Sequence, residues 1–217
     1  MNITFSDVGL VVGDNEVLKN ISLRIRDGLF TSIIGPNGAG KSSLLRIIVK
    51  DIVDHSGVVT DVRQEDVTYL PQDLYPPPFL RISEILSLAF LGQKLATLEE
   101  EEILDDLLTL CGVDHLRDRV LDDVSAGERQ RVWLAFALAQ DKDLILIDEP
   151  LSAVDVFSRK DFFNLLKDTI NRGKTLVVVT HDIDMAVQYS DHLIFLSDGQ
   201  KLYEGDPAHF QDSTFGF

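Results

Sequence analysis

The chain has 217 residues, 45% of them apolar, enough for one large domain with a buried core. Its formal net charge of −16 lacks the Lys/Arg excess that gripping a nucleic-acid backbone needs, so no nucleic-acid partner is expected. A single cysteine, Cys111, excludes an internal disulfide and suits a reducing compartment, and no run approaches the roughly 20 apolar residues of a membrane-spanning helix.

The opening residues Met1 to Asp7 lack the basic start and apolar run of a secretion signal. Ile3 and Phe5, and later Ile21, Leu23 and Ile25, alternate with polar neighbours as half-buried strands do. Leu29 to Ile34 reads as a strand running into a glycine-rich loop, after which Leu44, Leu45, Ile47 and Ile48 fall at helical spacing. Val67 to Leu70 is a short strand ending at Pro71. Tyr75-Pro76-Pro77-Pro78 is a connector, because proline fixes φ and has no N–H to donate. From Ile82 to Gln140 the pattern is mostly helical. Thr97-Leu98-Glu99-Glu100 reads as a capping box opening a helix with Ile103, Leu104, Leu107 and Leu108 on its inner face. Leu144 to Ile147 and Leu176 to Thr180 are continuous apolar runs, expected for strands buried on both faces. Leu193 to Leu196 and Lys201 to Glu204 flank Asp198-Gly199, a hairpin turn. The order predicts an α/β fold: a mostly parallel sheet built from 1–72 and 141–217, with a helical lobe, 73–140, inserted into it.

Gly35-Pro36-Asn37-Gly38-Ala39-Gly40-Lys41-Ser42 meets the spacing Gly-x-x-x-x-Gly-Lys-Ser between a strand and a helix. Glycines let backbone N–H groups converge on one anionic centre, and the helix aims its positive end there, with Ser43 in its first turn. Lys41 is placed to reach the β- and γ-phosphates of ATP, and the Ser42 hydroxyl to ligate Mg²⁺. Asp148 and Glu149 end a buried strand, where parallel sheets gather their ligands. Asp148 is the second expected metal ligand, and Glu149 is left to orient or deprotonate the attacking water.

Four more segments complete a pattern: Leu70-Pro71-Gln72, Val124-Ser125-Ala126-Gly127-Glu128-Arg129-Gln130-Arg131, Ser152-Ala153-Val154-Asp155 and Thr180-His181-Asp182. In order and spacing, nearly the whole chain resembles the nucleotide-binding domain of ATP-binding cassette (ABC) transporters. The resemblance implies a P-loop NTPase core with an N-terminal antiparallel β element. It implies that Gln72 senses Mg²⁺ and water, that His181 contacts the γ-phosphate, and that Asp155 lies at a dimer seam. Ser125, Gly127 and Glu128 would face ATP held by a second copy, in a head-to-tail dimer enclosing two nucleotides. Ser125-x-x-Glu128 is also a capping-box pattern at a helix start.

Three departures from the family pattern carry expectations. Ala126 replaces a usual glycine and would be strained at φ above zero. Glu128 replaces a usual glutamine, and its charge would weaken phosphate binding unless Arg129 or Arg131 compensates. Val12 stands where an aromatic residue usually stacks on adenine, which implies weak discrimination between bases.

The expected activity is Mg²⁺-dependent ATP hydrolysis as the cytoplasmic subunit of a membrane transporter, on the inner face of the membrane and touching it only through permease subunits. Ala135 to Asp141 and Gly112 to Leu116 are similar to importer ATPases for metal chelates and vitamins. The alternative is a soluble cassette ATPase of an assembly or regulatory complex. A DNA-repair cassette is disfavoured by the acidic balance and by the lack of a long coiled-coil insertion.

Overall fold

Alternation in the first 25 residues is realised as β1 (Ile3–Val12) and β2 (Asn15–Ile25), paired antiparallel, with β4 (Ser56–Val59) antiparallel on the other side of β1. The computed structural model describes residues 2–60, 62–75, 78–150 and 156–211, with only the backbone for 156–158. A second sheet has the order β5-β6-β7-β3-β8-β9. It comprises β3 (Phe30–Ile34), β5 (Val67–Leu70), β6 (Leu144–Asp148), β7 (Thr175–Thr180), β8 (His192–Ser197) and β9 (Gln200–Gly205). All neighbours run parallel except the β8–β9 hairpin. Its turn places both Asp198 and Gly199 at positive φ, 48° and 74°, the geometry a two-residue hairpin needs.

The continuous apolar runs are explained by what covers the sheet. Ile145, Ile147, Leu176 and Val178 face a core made with α2 (Ile82–Leu88), α3 (Thr97–Leu110), α4 (Ala126–Ala139) and α5 (Val156–Ile170). Their neighbours Leu144, Leu146, Val177 and Val179 face the opposite core, with α1 (Lys41–Ile48) and the apolar sides of β1 and β2. Side chains alternate across a strand, so a strand covered on both faces must be apolar at every position. A short α6 (Ile183–Tyr189) packs beside β3 and completes the helical side.

Helices α2, α3 and α4 lie in sequence between β5 and β6 and pack on one another. On α3, Leu104, Leu107 and Leu108 are buried and Ile103 is half-buried. The cap differs from the sequence expectation by one residue. Ala96 is the N-cap, and its N–H donates to the Glu99 carboxylate at 2.9 Å, while Thr97 is already helical. Ala96 has no side-chain acceptor, so only half of a capping box forms, and the acidic first turn supplies it. Cys111 is buried, as expected of a structural thiol, and burial pushes its pKa up to about 12.

Candidate functional site

Parallel strands end on the same edge, and here that edge gathers the chemistry. The loop after β3 carries Gly35 to Gly40, β6 ends in Asp148 and Glu149, β7 leads into His181, and β5 leads into Gln72. Gly35 has φ 146°, and a Cβ on it would fall 2.0 Å from the Leu196 carbonyl oxygen, so only glycine fits between the loop and β8. The chain then turns at Pro36, whose carbonyl accepts the Ala39 N–H at 3.2 Å, and enters α1 through Gly40.

Lys41 is 5% exposed, and its ammonium donates to the carbonyls of Gly35 at 2.9 Å and Pro36 at 3.1 Å. It also stands 3.6 Å from Glu149. The cation thus occupies the mouth of its own loop, holding acceptors that an incoming phosphate would replace. Glu149 follows the last residue of β6 with φ 48°, and its N–H donates to the Val179 carbonyl at 2.9 Å. This bend turns the carboxylate toward Lys41 and toward His181, whose Nδ1 is 2.7 Å away. His181 is 52% exposed, so its ring bridges the buried acid and the open cleft.

Asp148 is buried and accepts two hydroxyls, Ser42 Oγ at 3.0 Å on one oxygen and Tyr69 Oη at 3.4 Å on the other. Burial raises its pKa, opposed by the Ser42 hydrogen bond, while the adjacent Glu149 charge adds to the rise. Burial, reinforced by the Asp148 charge, also raises the Tyr69 phenol well above its usual value, so it serves as a donor. Two hard oxygen donors on α1 and β6, already joined to each other, are of the kind that suits Mg²⁺. Among the described residues no cluster of three His, Cys, Asp or Glu forms a cage for a metal by itself.

These groups border a cleft of about 370 Å³ lined by Val17, Asn37, Gly38, Gly40, Lys41, Ser42, Ser43, Gln72 and Glu149. Val17 was not singled out from the sequence, although it is the apolar lining residue. Val12 is 57% exposed and is not part of that lining. Gln72 also borders a second cavity of about 200 Å³, between its own segment and the face of α4 carrying Ala126, Arg129, Gln130 and Trp133. There Trp133 Nε1 and Arg129 Nε are buried without hydrogen-bond partners.

Ser125, Gly127 and Glu128 lie at the start of α4, outside the lining of the cleft. Ser125 is the N-cap. Its Oγ accepts the Glu128 N–H at 3.3 Å, while the Glu128 carboxylate accepts the Ser125 N–H at 2.8 Å and its hydroxyl at 2.6 Å. The structure bears on two of the departures from the family pattern here. Ala126 is the first helical residue and has no positive φ, so its Cβ carries no strain. The Glu128 charge is stabilised by Ser125, chiefly its hydroxyl, with a smaller contribution from His115 3.8 Å away; this lowers the Glu128 pKa. Neither Arg129 nor Arg131 pairs with it: Arg131 donates to the Cys111 carbonyl at 3.2 Å and faces Asp161. Asp155, with Ser152 to Val154, lies outside the described residues.

A family model described as ABC transporter matches residues 18–152. The ferric enterobactin transport ATP-binding protein FepC of Escherichia coli is 34% identical over 213 residues, spanning 90% of this chain and 78% of that protein. The petrobactin import ATP-binding protein YclP of Bacillus subtilis is 34% identical over 216 residues, spanning 93% and 86%. Among solved structures, a dimeric bacterial ABC transporter cassette matches with TM-score 0.83 and 28% identity, over 96% of this chain and all of that one (100%). The fold is also shared with a metal-chelate type ABC transporter in an inward-facing conformation, at TM-score 0.85 and 21% identity, over 98% and 86%.

Proposed function

The chain belongs to the ABC transporter family and is an ATPase whose hydrolysis of ATP powers a membrane transporter; on that premise we propose how its residues divide the work and what the transporter carries. The main-chain amides of Gly38 to Ser42 and the start of α1 bind the polyphosphate. Lys41 exchanges the carbonyls of Gly35 and Pro36 for β- and γ-phosphate oxygens. Ser42 and Asp148, with Gln72 at the end of β5, would hold Mg²⁺, which would supply charge neutralisation on the phosphates. Glu149 takes the proton of the attacking water. His181 keeps that carboxylate aimed and lies against the γ-phosphate. Val17 supplies apolar contact to the nucleoside, with Val12 at the periphery of the base site.

We assign 73–140 to the helical lobe and 1–72 with 141–217 to the catalytic core. Ser125, Gly127 and Glu128, at a helix start outside the chain's own cleft, would meet the nucleotide of a second copy, with Asp155 at the seam. The dimeric cassette of similar fold supports that arrangement. Among the described residues no helix is long and apolar enough to cross a membrane. The relatives named as transport and import ATP-binding proteins support a place for this chain at the inner membrane face, reached through permease subunits. Relatives that are ATP-binding proteins of ferric enterobactin transport and of petrobactin import favour a metal chelate as cargo.

The observation carrying this reading is the meeting of Lys41, Glu149 and His181, within 3.6 Å and 2.7 Å, beside the joined pair Ser42 and Asp148. The test is phosphate release from Mg·ATP by the purified protein. Glu149→Gln should lower turnover by about a hundredfold or more, in the range for a lost general base, while calorimetry still records ATP binding. A Glu149→Gln protein turning over within twofold of wild type would refute the assignment.

A further inference from the structure

We propose that Tyr69 is a positioning residue for the metal-binding carboxylate, fixing the Asp148 oxygen that Ser42 leaves free. The inference rests on the reading of Asp148 as a Mg²⁺ ligand. The register of the sheet makes the contact specific. Tyr69 on β5 pairs with Leu146 on β6, and Asp148 lies two residues further along the same face. Two residues of strand span about 6.6 Å, a gap that a serine or threonine hydroxyl at position 69 would not bridge. The phenol bridges it and places Oη 3.4 Å from Asp148 Oδ2. A phenylalanine would fill the same space against Leu146 without the hydroxyl.

The two donors approach the carboxylate from different elements, Ser42 from the start of α1 and Tyr69 from the neighbouring strand. Held at both oxygens, the carboxylate plane is set before any cation arrives. Partners of this kind orient metal ligands, and their loss weakens metal binding about tenfold or more. Among the described residues Asp148 is the only hydrogen-bond partner of the Tyr69 hydroxyl, so the phenol has no competing role there.

The test measures ADP affinity by calorimetry, with Mg²⁺ and with EDTA; the ratio of the two is the enhancement due to the metal. In Tyr69→Phe that enhancement should fall about tenfold, while the affinity in EDTA stays within twofold of wild type. Replacement of Tyr69 by 4-aminophenylalanine, which restores a donor at the ring tip, should recover most of the loss. An enhancement in Tyr69→Phe within twofold of wild type overturns the inference, as does an equal loss in EDTA and in Mg²⁺, the mark of a packing role alone. Asp148→Asn separates the premise: if it keeps the full enhancement, Asp148 is not the metal's carboxylate, and the reading of the site fails with the inference.

Discussion

Gly35→Ala tests the contact between the phosphate loop and the sheet. The new Cβ would lie 2.0 Å from the Leu196 carbonyl oxygen and 3.0 Å from its carbon. Even a close C–H···O contact needs about 3.3 Å, so loop or strand must yield by about 1.3 Å. Yielding is difficult, because Leu196 belongs to β8, which is paired with β3 on one side and with β9 on the other. Forcing a side chain into such a site costs about 1–3 kcal/mol, and the backbone conformation at φ 146° a similar amount. The sum, about 4 kcal/mol, is a large part of the 5–15 kcal/mol that typically holds a domain together. Gly38→Ala is the internal control. It has φ 82° but nothing within 4 Å of the new Cβ, so it should lose only about 1–2 kcal/mol. Urea unfolding of both variants, read by circular dichroism, gives the comparison. If Gly35→Ala comes within about 1 kcal/mol of Gly38→Ala, no more than the least cost of forcing a side chain into a packed site, the close approach to β8 is not what fixes the glycine.

Lys41→Met should weaken ATP binding in calorimetry by roughly tenfold or more, since the charge-assisted contact to phosphate is lost; unchanged affinity would mean that Lys41 never leaves Gly35 and Pro36. Glu128 has its folded-state pKa lowered, so the stability it gives to α4 is complete above its unfolded value of 4.5 and is lost as pH falls through the lower folded value. Urea midpoints between pH 6 and 3 (about two units around that value) should therefore drop more in wild type than in Glu128→Gln. Cys111, its thiol pushed up to about 12 by burial, should resist iodoacetamide at neutral pH in the folded protein and react once urea unfolds it.

The phosphate loop could be read because its chemistry is written in contiguous residues. Glycine, lysine and serine at fixed spacing between a strand and a helix leave few alternatives. Asp148, Glu149 and His181 were legible because each closes an apolar run, and strand ends in a parallel sheet converge. What escaped depends on register and on distance in space. Tyr69 looked like one more strand residue until β5 was seen beside β6. Val17 on β2 could not be preferred to Val12 at the end of β1 without knowing which strand borders the loop. Ala126 would be strained only at positive φ, and that φ has no local signature because it is set by the helix that Ser125 caps. Thr97 gave way to Ala96 as cap because a glutamate side chain closes the N-terminus from inside the helix, whatever residue precedes it. The strand order, with β3 between β7 and β8, is decided by long-range pairing and has no local signature.

Trp133 is the chain's single tryptophan, and it lines the space between α4 and the segment bearing Gln72. Its indole N–H lacks an acceptor there, so any shift of that segment against the helix alters the polarity around one fluorophore. The native protein thus contains its own optical gauge of movement between α4 and the Gln72 segment, read in real time without a dye when excitation is chosen to spare the four tyrosines.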